Sequence, residues 1–526
     1  MKKLIASSLL IVCIALMLTA CGGTDLGGGG GTGGGTTAGT TGTDGGTGGE
    51  SNVNDTIIWV QSADITSLDP HVGRETVAIA VTGNIFDSML AMIDGRPEPA
   101  LAHSWENIDP VTWRFFIRDD VHFHDGVQLT SADIAFSIER AMNAPQVQFV
   151  SGFIESVHVV DEFTVDIVTH EPFAPILSNL AMPMMGIVPM HLVEADEDHF
   201  VLNPVGTGPY RFVEWRRGES ARLEANPDYF RGEPLTRYLE MRVVPEAAQR
   251  TIAIETGEAH FAFDLASTDV ARVRDNPNLS FYEAMPVSSW FVIMNMEREP
   301  LNDIRVRQAI RYALNVPDII TAVRHGLGEA AHSFIPPVAF GHSTQAREFH
   351  HNLDRARELM AEASVDNVSL SLFVSDAHER IAVCTIIQAQ LLQIGIDVDI
   401  RVLEFGTWLE STGNGDHDMT LMVWSIPTLD ADYNLFPMYH SDQLGSAGNR
   451  SFLVNDHIDS LIMEGRSTVD PARRQEIYDE LAAYVSELSP SAYVFFAGMN
   501  VGASNRVNGF NIDPNGYHRL HTVWID

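Results

Sequence analysis

The chain has 526 residues and carries 33 Lys and Arg against 70 Asp and Glu, a formal net charge of −37. A surface of that sign repels phosphates, which argues against nucleic acid and against anionic lipid headgroups as partners of the protein surface. The length allows two to four domains at about 150 residues each, 45% of the residues are hydrophobic, and three cysteines cannot form a disulfide scaffold.

The N-terminus combines a charged start with a short apolar run and a cysteine. Lys2 and Lys3 precede an apolar run from Leu4 to Leu18, which is shorter than the roughly 20 residues of a membrane span. The segment LTACG that ends this stretch, with Cys21 as its fourth residue, resembles the lipobox of bacterial lipoproteins. In such proteins the leader is cut before the cysteine, whose sulfur carries a diacylglyceryl group. The alternative is an ordinary signal peptide with a cysteine there by chance.

A flexible tether is expected between the leader and the folded body. Residues 22–49 contain 16 Gly and 8 Thr and almost no apolar side chain, a composition that cannot bury a core. We therefore divide the chain into a signal peptide at 1–20, a lipidated cysteine and tether at 21–54, and a body from residue 55. Cys13 would leave with the leader, so Cys384 remains as a lone thiol that we expect to be buried and inert.

The first half of the body combines predicted strands and helices. Ile57–Val60 and Trp113–Ile117 are predicted strands, and the second of them leads to a turn at residues 124–126. A helix is predicted to start at Thr130, where Asp133 completes a pattern close to a capping box.

The second half continues the mixture. Asp303 is predicted to cap a helix, and residues 381–394 form another helix that ends at a glycine. The alternation of apolar and charged residues from Ile396 to Val402 predicts a half-buried strand, and Asp470 precedes a proline at the start of a further helix. The body is therefore an α/β mixture whose topology the periodicity alone cannot give.

Two motifs have both a chemical and a structural interpretation. His122 and His124 share a face of a strand and could hold a metal ion, but a turn explains them as well. Gly206–Tyr210 has two glycines, yet Pro209 removes an amide donor, so we predict a tight turn or hinge rather than a phosphate loop. The sequence has no metalloprotease, P-loop or nucleophile-elbow motif, so we predict no catalytic residue, no cofactor and no metal site.

The densest polar and aromatic stretch runs from Trp424 to Asn434. Asp430 and Asp432 lie two residues apart with Trp424 and Tyr433 beside them. Such a group could clamp a ligand ammonium between charge and aromatic faces. The alternative is a solvated acidic loop with Trp424 in the core.

Five segments of the body resemble motifs of the family 5 extracellular solute-binding proteins, the oligopeptide-, dipeptide- and nickel-binding components of ABC importers. They are SLDPH at 67–71, WRFFIR followed by FHDG within 113–126, LTSADIAFS at 129–137, NPVGTGPY at 203–210 and DIRVRQA at 303–309. Because they run in family order, the chain is identified as a member of this family from about residue 57 to beyond residue 460.

The resemblance implies an α/β fold of two lobes, the type II periplasmic-binding-protein fold, with an extra subdomain. Lobe I is expected at 55–97, 204–296 and 500–526, the extra subdomain at 98–203, and lobe II at 297–499. The ligand would lie between the lobes, which would close by hinge motion. The chain would cross between the lobes near 295–301 and 491–505.

The resemblance also suggests binding residues. In peptide-binding members a Trp is followed three residues later by an Asp that pairs with the peptide's α-ammonium, whereas here Trp424 is followed at that spacing by Pro427. The segments at 439–441 and 448–452 resemble a branch associated with longer peptides and glutathione, in which Arg450 would meet either a ligand carboxylate or a structural one. The candidate ligand-binding residues are Trp424, Asp430, Asp432, Tyr433, Asn449, Arg450, His71 and Trp290.

These features favour a non-enzymatic receptor that captures a peptide and delivers it to an ABC permease. We expect a monomer, held by its lipid at the outer face of the bacterial cytoplasmic membrane. A receptor for a sugar oligomer or for a nickel or other metal chelate is the first alternative, because Trp424 and Trp290 could stack on sugars. A secreted hydrolase is the remote alternative, because the sequence lacks the nucleophile–base pair or metal motif that a hydrolase would need.

Overall fold

In the computed structural model of the protein, residues 55–73 and 75–526 are described. The expected signal peptide, the lipidation site Cys21 and the tether lie outside the described residues. Within those two ranges, no helix combines the length and the apolar character that crossing a membrane would need.

The elements up to residue 202 form the start of lobe I and a compact α/β subdomain. The first are β1 (Thr56–Gln61), α1 (Thr76–Thr82), β2 (Leu90–Ile93) and β3 (Arg96–Pro99). They are followed by β4 (Ala102–Asp109), β5 (Thr112–Ile117), α2 (Ser131–Met142), α3 (Gln148–Ser151), β6 (Ile154–Asp161), β7 (Thr164–Thr169), α4 (Ile176–Leu180), α5 (Met190–Ala195) and α6 (Glu197–Leu202).

The next elements return to lobe I and then build lobe II. The first group is β8 (Tyr210–Arg216), β9 (Ser220–Ala225), β10 (Tyr238–Val243), α7 (Ala247–Thr256), β11 (Phe261–Phe263), α8 (Val270–Arg274) and β12 (Leu279–Glu283). The second is β13 (Ser288–Met294), α9 (Ile304–Ala313), α10 (Val316–Arg324), β14 (Glu329–Ala330), α11 (Leu353–Ala363), β15 (Val368–Ser375), α12 (His378–Leu392), β16 (Ile396–Leu403), α13 (Phe405–Gly413), β17 (Met419–Ser425), α14 (Asp432–Tyr439), α15 (Asp456–Ser467), α16 (Pro471–Leu488) and β18 (Ser491–Ala497). The last strands are β19 (Asn500–Ser504), β20 (Val507–Asn508) and β21 (Trp524–Ile525).

Two large sheets form the centres of the two lobes. The seven-stranded sheet has the order β12-β19-β11-β1-β10-β9-β8, and the six-stranded sheet has the order β14-β18-β13-β17-β15-β16. Both are mixed, because β1 runs parallel to β10 and β11, and β15 runs parallel to β16 and β17. The extra subdomain has an antiparallel sheet of order β4-β5-β7-β6. The expected α/β fold of two lobes is thus confirmed.

The local signals in the sequence explain several of these elements. The helix expected after Thr130 is α2, with a capping box between Thr130 and Asp133. The carboxylate of Asp303 accepts a hydrogen bond from the backbone N–H of Arg305 and so caps α9. Cys384 is fully buried in α12, as expected, and burial raises the pKa of its thiol to about 12.

The chain passes between the two sheets at positions that differ in part from those expected. Strand β13, expected in lobe I, pairs along its length with β17 and β18 of the six-stranded sheet. The first crossing therefore lies between β12 and β13, earlier than 295–301, while the second lies between β18 and β19. The two crossings touch, because the backbone N–H of Ala284 donates to the carbonyl of Met499 over 2.9 Å.

The histidine and glycine motifs prove to be one structural unit. The Nε2 of His124 is 2.9 Å from the carbonyl oxygen of Gly208, and its Nδ1 accepts a hydrogen bond from the backbone N–H of Gly206. Both ring nitrogens of this half-buried side chain are thus occupied by backbone groups, which explains His124 as part of a turn. Glycine is required at 206 because a Cβ there would lie 2.1 Å from the carbonyl oxygen of Ile85.

Candidate functional site

A cavity of about 560 Å³ lies between lobe II and the extra subdomain. Its volume falls in the range of about 300–1,000 Å³ that is usual for ligand sites. Lobe II contributes the end of β17, the helix α14 and one residue of α15. The subdomain contributes α3 and the two residues after it, the loop that follows β7, and one residue of α4. The residues that line it are Gln148, Phe149, Gly152, Phe153, His170, Glu171, Phe173, Asn179, Trp424, Asp432, Tyr433, Phe436, Pro437 and Arg466.

Aromatic rings form much of the wall of this cavity. In the subdomain, Phe153 and Phe173 stack with their ring centroids 4.5 Å apart. Across the cavity, Phe149 of the subdomain meets Tyr433 of lobe II edge to face at 5.8 Å. Such surfaces favour apolar groups and, through their negative faces, cations.

Asp432 places a carboxylate among these rings. The segment before it is fixed by Phe340, whose backbone exchanges hydrogen bonds with Leu429 and Ala431, so that α14 begins at Asp432. The residue is only 7% exposed, and its Oδ1 has no hydrogen-bond partner among the described residues. Burial raises the pKa of this carboxyl group to about 6, although the nearby Arg466 acts in the opposite direction.

Arg466, on α15, is the neighbouring cation. Its Nε lies 3.4 Å from the Oδ1 of Asp432, and its guanidinium lies over the ring of Phe436 at 3.9 Å and over that of Phe173 at 5.4 Å. Its backbone carbonyl accepts a hydrogen bond of 2.7 Å from the N–H of Ala174 in the subdomain. Arg466 thus holds the two sides of the cavity together.

Asp430 is held away from the cavity by a different arginine. Arg474 of α16 donates to both carboxylate oxygens of Asp430, over 2.6 and 2.7 Å, and also to the hydroxyl of Tyr478. The Oδ1 of Asp430 accepts in addition from the backbone N–H of Asp432. Asp430 therefore positions Asp432, which is the one of the two that lines the cavity.

The structure brings together three of the sequence-predicted residues: Trp424, Asp432 and Tyr433. Trp424 is the last but one residue of β17, and its indole Nε1 is buried with no hydrogen-bond partner among the described residues. The indole N–H and the Oδ1 of Asp432 are thus an unpaired donor and an unpaired acceptor, among the described residues, on two side chains that line the same cavity.

Asn449 and Arg450 lie outside this cavity, in the interior of lobe II. The Nε of Arg450 donates to the hydroxyl of Thr412, and its Nη1 donates to the carbonyl of Gly448. The amide nitrogen of Asn449 donates to the carbonyl oxygens of His440 and Leu453. These donors stabilise a loop and do not reach the cavity, because both side chains are turned into the core.

His71 and Trp290 are also separate from the cavity. The Nε2 of His71 bonds to the carbonyl of Gly186 and its Nδ1 accepts from Arg140, while burial lowers the pKa of the ring to about 4. Trp290 stacks on Phe495 at 5.0 Å in the core of the six-stranded sheet. The first ties lobe I to the subdomain, and the second is a core residue.

Sequence reasoning missed Arg466 and the whole subdomain side of the cavity. Arg466 lies in a helix with other charged residues, and nothing in its local sequence distinguishes it from a solvent-exposed arginine. The phenylalanines of the subdomain carry no spacing signal either. Only the tertiary contact between the subdomain and lobe II brings them to Asp432.

Comparisons with known proteins agree with this architecture. The family described as bacterial extracellular solute-binding proteins, family 5 Middle, matches residues 96–446. The dipeptide-binding protein of Escherichia coli (strain K12) is 27% identical over 461 residues, which cover 81% of this chain and 86% of that protein. The glutathione-binding protein GsiB of Salmonella typhi is 26% identical over 475 residues, 88% of this chain and 92% of that protein. The solved periplasmic binding protein DppA from Helicobacter pylori, in complex with peptide STSA, is similar with a TM-score of 0.73 and 25% identity over 89% of this chain and 98% of that one.

Proposed function

Because the chain belongs to the bacterial extracellular solute-binding proteins of family 5, we propose that it captures peptides and delivers them to the permease of an ABC importer. Proteins of this family bind a solute for transport, so the chain is a receptor and not an enzyme. Relatives that bind dipeptides and glutathione support a peptide as the ligand.

The observation that carries the proposal is the Asp432 carboxylate, buried in an aromatic cavity without a hydrogen bond to its Oδ1 from the described residues. Arg466, with its Nε 3.4 Å from this oxygen, offsets part of the cost of the buried charge, but the Oδ1 still lacks a hydrogen-bonding partner among the described residues. A ligand ammonium would supply that partner, and the aromatic faces of Trp424 and Tyr433 would stabilise the same cation. The indole N–H of Trp424 would donate to a ligand carbonyl.

The remaining features of the proposal concern attachment and motion. Cys21 would carry the lipid that holds the protein, as a monomer, at the outer face of the cytoplasmic membrane, because two or more acyl chains anchor stably where one does not. Ligand that contacts both sides of the cavity would favour a closed arrangement by its differential affinity. Closure would bend the chain at the two crossings, between β12 and β13 and between β18 and β19.

The experiment that tests the proposal has two arms. Native mass spectrometry of the full-length protein, purified without denaturation, would give the mass of any retained cellular ligand. Calorimetric titration would then compare the tripeptide Ala-Phe-Ala with its N-acetylated form, which lacks the ammonium. We expect a peptide mass and a loss of binding on acetylation. A sugar or chelate mass, or measurable and equal binding of the two tripeptides, would contradict the proposal and favour one of the other ligand classes.

A further inference from the structure

Two side chains of opposite charge line the same cavity without a hydrogen bond between them. The Nε of Arg466 lies 3.4 Å from the Oδ1 of Asp432, and neither atom has a hydrogen-bond partner within the described part of the chain. A saturated pair in the same lobe has a different geometry, since Arg474 and Asp430 share two hydrogen bonds of 2.6 and 2.7 Å. The pair at the cavity thus keeps unused hydrogen-bonding capacity on both members.

The position of Arg466 is fixed even though its Nε has no hydrogen-bond partner among the described residues. Its guanidinium lies over the rings of Phe436 and Phe173, and its backbone carbonyl is bonded to Ala174. A planar guanidinium fixed by stacking presents its N–H donors in a fork that matches a carboxylate. The cavity therefore holds a prepared anion site beside a prepared cation site.

The proximity of the two sites limits which ligand can occupy them. An ammonium bound at Asp432 would also lie close to the guanidinium, and two like charges without an intervening anion repel each other. In an ordinary α-linked peptide the first carboxyl group is an amide and supplies no such anion. A carboxylate on the carbon that carries the ammonium would supply that anion. It would also accept hydrogen bonds from the guanidinium of Arg466.

We propose that Asp432 and Arg466 together bind an α-amino-acid group, in which one carbon carries both the ammonium and the carboxylate. This inference rests on the proposed function and narrows its ligand to peptides that carry such a group. γ-Glutamyl peptides are the chemical class that has it. The α-amino-acid group lies against Asp432 and Arg466. The remainder of the ligand extends along the phenyl rings of Phe149 and Phe153.

The test uses two isomers of equal mass and charge, γ-glutamyl-leucinamide and α-glutamyl-leucinamide. Both have one ammonium and one carboxylate, but only the γ isomer has them on the same carbon. Each is titrated calorimetrically into the full-length protein in detergent. We expect the γ isomer to bind at least about tenfold more tightly than the α isomer. This is the effect of about one charge-assisted hydrogen bond.

The variant Arg466→Gln should weaken binding of the γ isomer by about tenfold or more and abolish the preference between isomers. Arg473→Gln is the matched control, because Arg473 is half exposed and pairs with Glu464 and Glu476 at the surface. Arg473→Gln should retain the preference for the γ isomer. Thermal unfolding of each variant checks that it is folded, and the comparison in the unchanged protein does not depend on any variant.

The outcomes separate this inference from the proposed function. Equal affinity for the two isomers, or a preference that survives in Arg466→Gln, would overturn the inference and leave peptide capture standing. Binding of Ala-Phe-Ala but of neither isomer would have the same meaning. Binding of the γ isomer without binding of Ala-Phe-Ala would support both the inference and peptide capture, whereas failure of all three peptides to bind would overturn both.

Discussion

Asp430 and Arg474, 44 residues apart in the chain, are joined inside lobe II by two hydrogen bonds of 2.6 and 2.7 Å. Both side chains are almost completely buried. Asp430 also accepts from the backbone N–H of Asp432. One aspartate of the DADY sequence therefore holds the segment in place, and the other is left facing the cavity.

Asp430→Asn should destabilise the protein strongly. It removes the anion from a buried guanidinium, and an uncompensated buried charge costs about 3–5 kcal/mol of unfolding free energy. Urea unfolding at neutral pH measures the change. Asp399→Asn is the control, because its pair with Arg401 is exposed and should contribute less than about 1 kcal/mol. Equal effects of the two substitutions would contradict the structural role given to Asp430.

Asp432→Asn should affect binding of a ligand ammonium far more than any neighbouring substitution. The amide cannot compensate the ammonium, so we expect a loss of about 2–5 kcal/mol of binding free energy. Calorimetric titration with Ala-Phe-Ala measures it. Asp442→Asn, at an exposed position in the loop after α14, is the matched control. If Asp432→Asn binds the tripeptide as tightly as the control, the ammonium is bound elsewhere.

Binding of an ammonium should weaken in acid. Burial raises the pKa of Asp432 to about 6, with Arg466 and Arg474 opposing the shift and Asp430 and Glu171 adding to it. Only the ionised carboxylate attracts the ligand, so affinity should fall by up to about tenfold for each pH unit below 6. Titrations between pH 5 and 7.5 measure this, and Asp432→Asn should remove most of the dependence.

Protonation of Asp432 should have the opposite effect on the ligand-free protein, because it should raise the free energy of unfolding. Its pKa is higher in the folded than in the unfolded chain, so the folded state binds the extra proton between about pH 4 and pH 6. The stability that this proton contributes is present below the ordinary pKa and is lost as the pH rises through about 6. The difference in unfolding free energy between the unchanged protein and Asp432→Asn should therefore decline over that interval. A difference that grows with pH would show that the carboxyl group is not desolvated as described.

Gly498→Ala should disturb the region where the chain crosses between the lobes. A Cβ at this position would lie 2.3 Å from the carbonyl oxygen of Ala284 on the other crossing. Relieving that contact requires a backbone shift, for which we expect a loss of about 1–3 kcal/mol of stability. We also expect a smaller ligand-induced decrease in radius of gyration, measured by small-angle X-ray scattering. Gly406→Ala is the control, since its Cβ would meet only the flexible carboxylate of Glu404.

Cys21→Ser should release the protein from the membrane or leave it unprocessed. The expectation comes from the lipobox-like sequence alone, because the sulfur of Cys21 is the atom that would be lipidated. Detergent partitioning of whole-cell extracts measures it, with Cys13→Ser as the control that keeps the modified residue. Identical partitioning of the unchanged protein and Cys21→Ser would contradict lipid anchoring.

The elements that the sequence predicted well are those whose signals are local. The capping box at Thr130 and Asp133 and the alternation along β16 each depend on neighbours within a few residues. The residues that line the cavity could be predicted together where they share one segment, as Trp424, Asp432 and Tyr433 do. His71 and Arg450 were assigned to the site although their partners, such as Gly186 and Thr412, lie 115 and 38 residues away. Contacts of that range are determined by the packing of whole domains, and no local pattern encodes them.

The burial of Cys384 makes the chain convenient for distance measurements across the cavity between lobe II and the extra subdomain. A thiol with a pKa near 12 and no solvent access does not react with maleimides or methanethiosulfonates at neutral pH. Among the described residues it is the only cysteine. Surface cysteines introduced in pairs, one on the four-stranded sheet and one on lobe II, would therefore accept spin labels or fluorophores selectively, without replacement of any native side chain in the core.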